Sequence, residues 1–319
     1  MPSEELTRSI TRRTENDPRE LLVRVFFFAC AFLSIVTTIG IIVLLLYFAL
    51  QFFGGTAAIL GFEGETVSIV DFLTGTVWRT GQEFGVLPLL SGTIIVTIVA
   101  ALISMPLGVA TAMYLSEYAS PRARSVLKPA LEVLAGVPTV VYGVFAVVYI
   151  TPFLGIFFPS ISFFNALSAG VAMGIMIIPM VASVSEDAMS AVPDELRQAS
   201  YGMGATKYDV TTGVVIPAAA SGIFSSFILG LSRAIGETMI VVVAMGNVGN
   251  LYNLLNPAAV LNSGMTMTSG MIQLLFSDIS GGGIAYRALF GVGLLLFVFT
   301  LLMNIVSDIV AQRYREEYE

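Results

Sequence analysis

The chain has 319 residues, of which 56% are hydrophobic and only 12% charged, with a mean hydropathy of +0.88. Apolar runs of about 20 residues, enough for a helix to cross the hydrocarbon core, recur along it and make it an integral membrane protein rather than a soluble enzyme. A net charge of −7 spread over tails and loops argues against general nucleic-acid binding, and the absence of histidine excludes a Ser-His hydrolase, a His-ligated metal site and a His proton relay. Cys30 stands alone and can form neither an intrachain disulfide nor a thiolate cluster.

In chain order, a tail over residues 1–24 precedes the first apolar run, Val25 to Leu50. That run is too long for the core of a signal peptide and lacks a clear cleavage site, so it reads as a retained anchor. A loop over 51–86 leads to a second span, about Leu87 to Leu115, kinked where Pro106 removes a backbone donor. No charge lies between Glu132 and Glu186, a stretch too long for one span. The break from Thr151-Pro152 to Pro159-Ser160 divides it into a third span, Val133 to Ile150, and a fourth, about Phe164 to Val184. The fifth runs from about Ala218 to Met245 and the sixth from Ile284 to Val306, ahead of a tail over 310–319. The expected fold is an all-α membrane protein with six transmembrane helices, five of them forming a core over 87–309.

Lysine and arginine set the orientation, since short cytoplasmic loops carry their excess. Arg8, Arg12, Arg13, Arg19 and Arg24 precede the first span. Arg122, Arg124 and Lys128 follow the second, Arg197 and Lys207 the fourth, and Arg313 and Arg315 the sixth, against Arg79 and Arg287 on the other side. Both termini are expected in the cytoplasm of a multi-pass protein of the cell membrane. The segment from Asn247 to Gly283 reads as either a gate-side loop or a re-entrant hairpin, and Trp78 as an interfacial anchor or a contact for an external partner.

The loop over 185–217 has its own signals. Pro193-Asp194-Glu195 starts a helix well, because proline suits the first turn and carboxylates suit the positive end of the dipole. Gly202 and Gly204 stop it and permit a sharp bend, a second short helix follows from about Thr206 to Gly213, and Pro217 opens the fifth span. Such a helix-Gly-helix knob between two spans can transmit a push into the bundle. Arg233 and Glu237 lie within the fifth span, where an ionisable group costs roughly 2.5–3.5 kcal/mol on insertion scales and marks a path for charged cargo or a structural ion pair.

Gln198-Ala199-Ser200, then Gly204, nine residues, and Val214-Val215-Ile216-Pro217 match in spacing the Glu-Ala-Ala…Gly…Ile-x-Leu-Pro signature of ABC importer permeases. The chain therefore resembles that family, with Gln198 in place of the usual glutamate. The strings Phe72-Leu73-Thr74-Gly75-Thr76-Val77-Trp78, Leu115-Ser116-Glu117-Tyr118-Ala119, Leu134-Ala135-Gly136-Val137-Pro138-Thr139 and Ser232-Arg233-Ala234-Ile235-Gly236-Glu237-Thr238-Met239 are similar to the C-type permease of phosphate importers, PstC.

The resemblance implies a type I importer fold with a cytoplasmic coupling loop, in which Gln198, Ala199, Ser200, Gly204, Ala205, Thr206 and Pro217 belong to the ATPase dock. It implies a PstA-like second permease, a homodimeric PstB-like ATPase and a PstS-like external phosphate-binding protein as partners. The chain has no P-loop, so ATP and magnesium belong to the ATPase, no cofactor is expected here, and the chain is expected not to be an enzyme. Within that resemblance Arg233, permanently charged and forked to match two oxyanion oxygens, is the candidate contact for phosphate, and Glu237 balances it when the path is empty. A permease for sulfate, molybdate or phosphonate, and a self-contained channel or secondary transporter, are the alternatives.

Overall fold

The computed structural model describes residues 18–54, 66–277 and 283–315. Arg8, Arg12 and Arg13 lie outside that range. The described residues fold mainly into helices. They are α1 (Pro18–Phe52), α2 (Ile69–Thr74), α3 (Leu87–Tyr118), α4 (Pro121–Ala135), α5 (Thr139–Phe157) and α6 (Ala166–Ser190). The remainder are α7 (Asp194–Gly202), α8 (Lys207–Ala218), α9 (Ala220–Gly236), α10 (Met239–Ala244), α11 (Met267–Ser277) and α12 (Ile284–Arg315). Five of these, α1, α3, α5, α6 and α12, are each long and apolar enough to cross a membrane, and α8 with α9, bent by 68° at Ala219, makes a sixth.

The centre of the bundle is α3 against α6. Lipid is as apolar as leucine, so helices in a membrane are held by close packing rather than by exclusion of water, and small residues allow that approach. Ala166, Gly170 and Gly174 line one face of α6 at four-residue spacing. A Cβ on Gly170 would lie 2.6 Å from the Val99 side chain, and one on Gly174 would lie 2.9 Å from Ile103. The polar groups that join α5 to α6 are paired, as the absence of water favours, while the buried Thr97 hydroxyl of α3 has no partner among the described residues. Asn165 caps α6 by accepting from Ser168 N at 2.7 Å, and its amide donates to Thr151 of α5 at 3.2 Å. Thr151 and Ser168 hydroxyls are 2.7 Å apart.

The second apolar cluster joins α1, α12 and the segment before α3. Trp78–Arg79 and Glu83–Phe84 form a two-stranded hairpin, and Trp78, Phe84, Phe72 and Phe52 are all buried there. Trp78 is thus a core residue of this cluster, neither an interfacial anchor nor an exposed contact. The later segment packs onto the same cluster through Met265, Met267 and Leu274, and Met267 N donates to Thr93 Oγ1 of α3 at 3.0 Å.

Two expected span limits differ. The third span begins at Thr139, not Val133, because Val133–Ala135 complete α4 and Gly136 to Pro138 break the chain, proline disfavouring helix in the residue before it. It then runs through Pro152 to Phe157, with a π turn at Ala146–Ile150 taking up the irregular hydrogen bonding beside that proline. The fifth span is not continuous from Ala218 to Met245. Helix α9 stops at Gly236, Glu237 is extended with φ −69° and ψ 131°, and α10 restarts at Met239. The break persists because its freed groups find partners: Thr268 Oγ1 donates to the Glu237 carbonyl at 2.8 Å, and the Glu237 carboxylate takes the first N–H groups of α10.

Candidate functional site

Arg233 and Glu237 are one helical turn apart in sequence, but the break at Glu237 turns them apart. No ion pair between them occurs among the described residues. Glu237 is 8% exposed, and its Oε1 accepts from Met239 N at 3.0 Å and Ile240 N at 3.4 Å, a carboxylate held at the positive end of a helix. Arg233 is exposed and lines a cavity of about 350 Å³ bounded by Leu115 of α3, Lys128 and Glu132 of α4, and Met176, Pro179 and Glu186 of α6. A permanent cation facing a space of this size between four helices can hold an oxyanion through its planar fork of donors.

Glu186, which sequence reasoning placed at the start of a loop, is the most buried carboxylate here, at 1% exposure. It lies two residues past Val184, the expected end of that span, and helix α6 runs on through it to Ser190. Arg124 bonds Glu186 Oε1, and Lys128 Nζ donates to Glu186 Oε2 at 2.8 Å and lies 3.8 Å from Asp187. Arg124 and Lys128, read from sequence only as topology determinants, are therefore the counter-ions that let a carboxylate sit inside the bundle. The hydrogen bond to Glu186, with the negative charges of Glu186 and Asp187, raises Lys128 above its ordinary 10.5 against desolvation and the repulsion of Arg124. No local signal marks this cluster, since its members are 58 and 62 positions apart.

The loop forms as its residues direct. Pro193 caps α7, with Asp194 and Glu195 in its first turn. Gly204 has φ +87°, a conformation that a side chain strains, and it turns the chain into α8. Thr206 and Asp209 cap α8 reciprocally, with Asp209 N donating to Thr206 Oγ1 at 3.3 Å and Thr206 N to Asp209 Oδ2 at 3.0 Å. Pro217 lies in the last turn of α8, and the following span opens at Ala220. Ser200 is buried and Ala205 half-buried, while Gln198, Ala199, Gly204 and Thr206 are exposed. Met203, 84% exposed, stands at the tip with Tyr201 and Tyr208. Sequence reasoning also missed Glu117, whose partner is Arg197 at 3.1 Å.

The comparisons with known proteins agree with this architecture. Residues 104–316 match the family model described as "Binding-protein-dependent transport system inner membrane component". The chain is 32% identical over 308 residues to the "Probable ABC transporter permease protein YqgH" of Bacillus subtilis, covering 94% of this chain and 95% of that protein. It is 32% identical over 293 residues to the "Phosphate transport system permease protein PstC" of Mesorhizobium japonicum, covering 86% of each. In fold it is similar to a chain of the bacterial alginate ABC transporter solved with an alginate-bound periplasmic protein, with a TM-score of 0.63 over 92% of this chain and 95% of that one, at 12% identity. The match over two thirds of the length, the helical bundle and the helix-Gly-helix loop lead to one conclusion: the chain belongs to the binding-protein-dependent inner-membrane component family, the multi-pass permease subunits of ABC importers rather than enzymes.

Proposed function

We propose that this chain is the C-type permease of an ATP-driven phosphate importer. The observation that carries the reading is Arg233, a fixed cation on the fifth span, facing a cavity that it shares with Lys128. Phosphate offers paired oxyanion oxygens to match its fork, and the PstC relatives at about 30% identity support that cargo. Both termini and the α7–α8 loop lie in the cytoplasm, by the lysine and arginine asymmetry. Gln198, Ala199, Ser200, Gly204, Ala205, Thr206 and Pro217 form or shape the dock for a PstB-like ATPase dimer, with the exposed apolar tip of Tyr201, Met203 and Tyr208 entering it. A PstA-like permease completes the path and a PstS-like protein delivers phosphate from outside. ATP binding draws the docking helices together and opens the bundle outward, and hydrolysis returns it inward; no bond of phosphate is broken.

Uptake by the full complex in proteoliposomes tests this. Arg233→Gln abolishes phosphate uptake while the complex still assembles, and excess sulfate, molybdate or phosphonate leaves wild-type uptake unchanged. Undiminished uptake by Arg233→Gln removes the direct role of Arg233, and competition by another oxyanion removes phosphate as the cargo.

A further inference from the structure

Arg197 lies on the coupling helix α7, yet only 14% of its side chain is exposed, an unusual burial for an arginine on a short surface helix. All of its partners are held by other parts of the fold or by the start of α7. Nη2 donates to Glu117 Oε1 at 3.1 Å and to the Met189 carbonyl at 2.8 Å. Nη1 donates to Asp194 Oδ1 at 3.2 Å and to the Val192 carbonyl. Met189 is in the last turn of α6 and Val192 just beyond it, where carbonyls lack helical partners and a cation is favoured by the dipole.

Glu117, 7% exposed, sits in the π turn Tyr114–Tyr118 that ends α3. A second tie runs parallel to this one, with Lys207 Nζ of α8 5.0 Å above the Tyr118 ring. Across the other face of α7 lies a cavity of about 580 Å³ lined by Val192, Pro193, Leu196, Ala218 and Ala219.

We propose that Arg197 is the positioning residue that makes the coupling helix move as one body with the cytoplasmic ends of α3 and α6, so that displacement imposed by the ATPase enters the bundle through Glu117 and α6. Without it, α7 can follow the ATPase into the adjoining space and leave α3 behind. The proposal rests on the reading of this loop as the ATPase dock and is independent of which anion is carried. If that reading of the loop fails, the ATPase stays with the purified complex when the loop tip is altered at Met203, whatever the state of Arg197.

The test is anion uptake and ATP hydrolysis measured together in proteoliposomes containing both permeases, the ATPase and the binding protein. Arg197→Gln retains hydrolysis stimulated by the binding protein, while anion moved per ATP falls at least about fivefold, the scale of an ordinary coupling free energy. Glu117→Gln gives the same loss, and the double variant is no worse than either single one, as expected of one linkage. Arg197→Lys keeps the charge but cannot reach Glu117 and two carbonyls at once, and it is read in the same way if Arg197→Gln does not assemble. An unchanged ratio of transport to hydrolysis overturns the proposal, and so does a proportional fall in both, which marks a merely structural residue.

Discussion

Glu186 on α6 and Glu237 in the break after α9 are both buried carboxylates, one lining the Arg233 cavity and one directly following the helix that carries Arg233, yet they are held in opposite ways. Glu186 depends on charge: two cations from α4 surround it, and its removal leaves Arg124 without that partner and Lys128 with only Asp187, 3.8 Å away. Glu237 depends on the backbone: it accepts the first N–H groups of α10 and needs no cation. A carboxylate inside a membrane bundle is thus made tolerable either by a counter-ion or by an interrupted helix, and the two solutions differ in cost and purpose. The first fastens α4 to α6. The second permits the fifth span to break beside Arg233, which leaves that arginine available to the cavity.

The largest effect expected from breaking this contrast is at Glu186. Glu186→Ala should destabilise the purified protein by about 1–3 kcal/mol, since the buried carboxylate loses its charged hydrogen bonds while Arg124 and Lys128, part exposed, keep access to water. Thermal unfolding in detergent measures it, and a loss under about 1 kcal/mol would show that the bonds to Arg124 and Lys128 contribute no more than exposed pairs do. Because the folded state raises Lys128, its contribution is complete below its ordinary 10.5 and disappears only as pH climbs through the higher folded value. Lys128 should therefore add no pH dependence to stability through the neutral range.

A smaller effect is expected at Glu237. Glu237→Ala removes a cap and should cost about 1 kcal/mol, whereas an amide oxygen accepts the same two N–H groups, so Glu237→Gln should match the wild type in stability. The two variants separate the cap from the charge. If Glu237→Gln transports normally, the carboxylate is a cap alone; if uptake falls with stability intact, its charge serves the path as well.

Much of this was legible in the sequence where the signals are local. Pro193, Gly202, Gly204 and the helix start at Thr206 specify the two helices of the coupling loop within a few residues of where they occur, because helix starts and left-handed turns are short-range effects. The spans were legible as apolar runs, with limits displaced where a tertiary partner decides. Nothing near Glu237 announces that Thr268 will satisfy the carbonyl exposed by a broken helix. The pairing of Arg233 with Glu237 followed from spacing on an ideal helix and failed when the helix stopped. Glu117 and Arg197, 80 positions apart, meet only because α3 and α6 end side by side.

The smallest effect lies at the exposed cap of α8, where solvent competes for every bond. The Thr206 hydroxyl and backbone N–H hold the Asp209 carboxyl below its ordinary 3.8. A lowered carboxylate contributes fully above that ordinary value, and its contribution is lost as pH falls through the lower folded one. Thr206→Ala should therefore speed amide exchange in α8 at neutral pH without a measurable change in global unfolding, and acidification below the folded value should produce the same local loosening in the wild type. A global loss of stability in Thr206→Ala would mean that α8 is coupled to the bundle as tightly as Glu186, and the contrast between its exposed cap and the buried cluster would not hold.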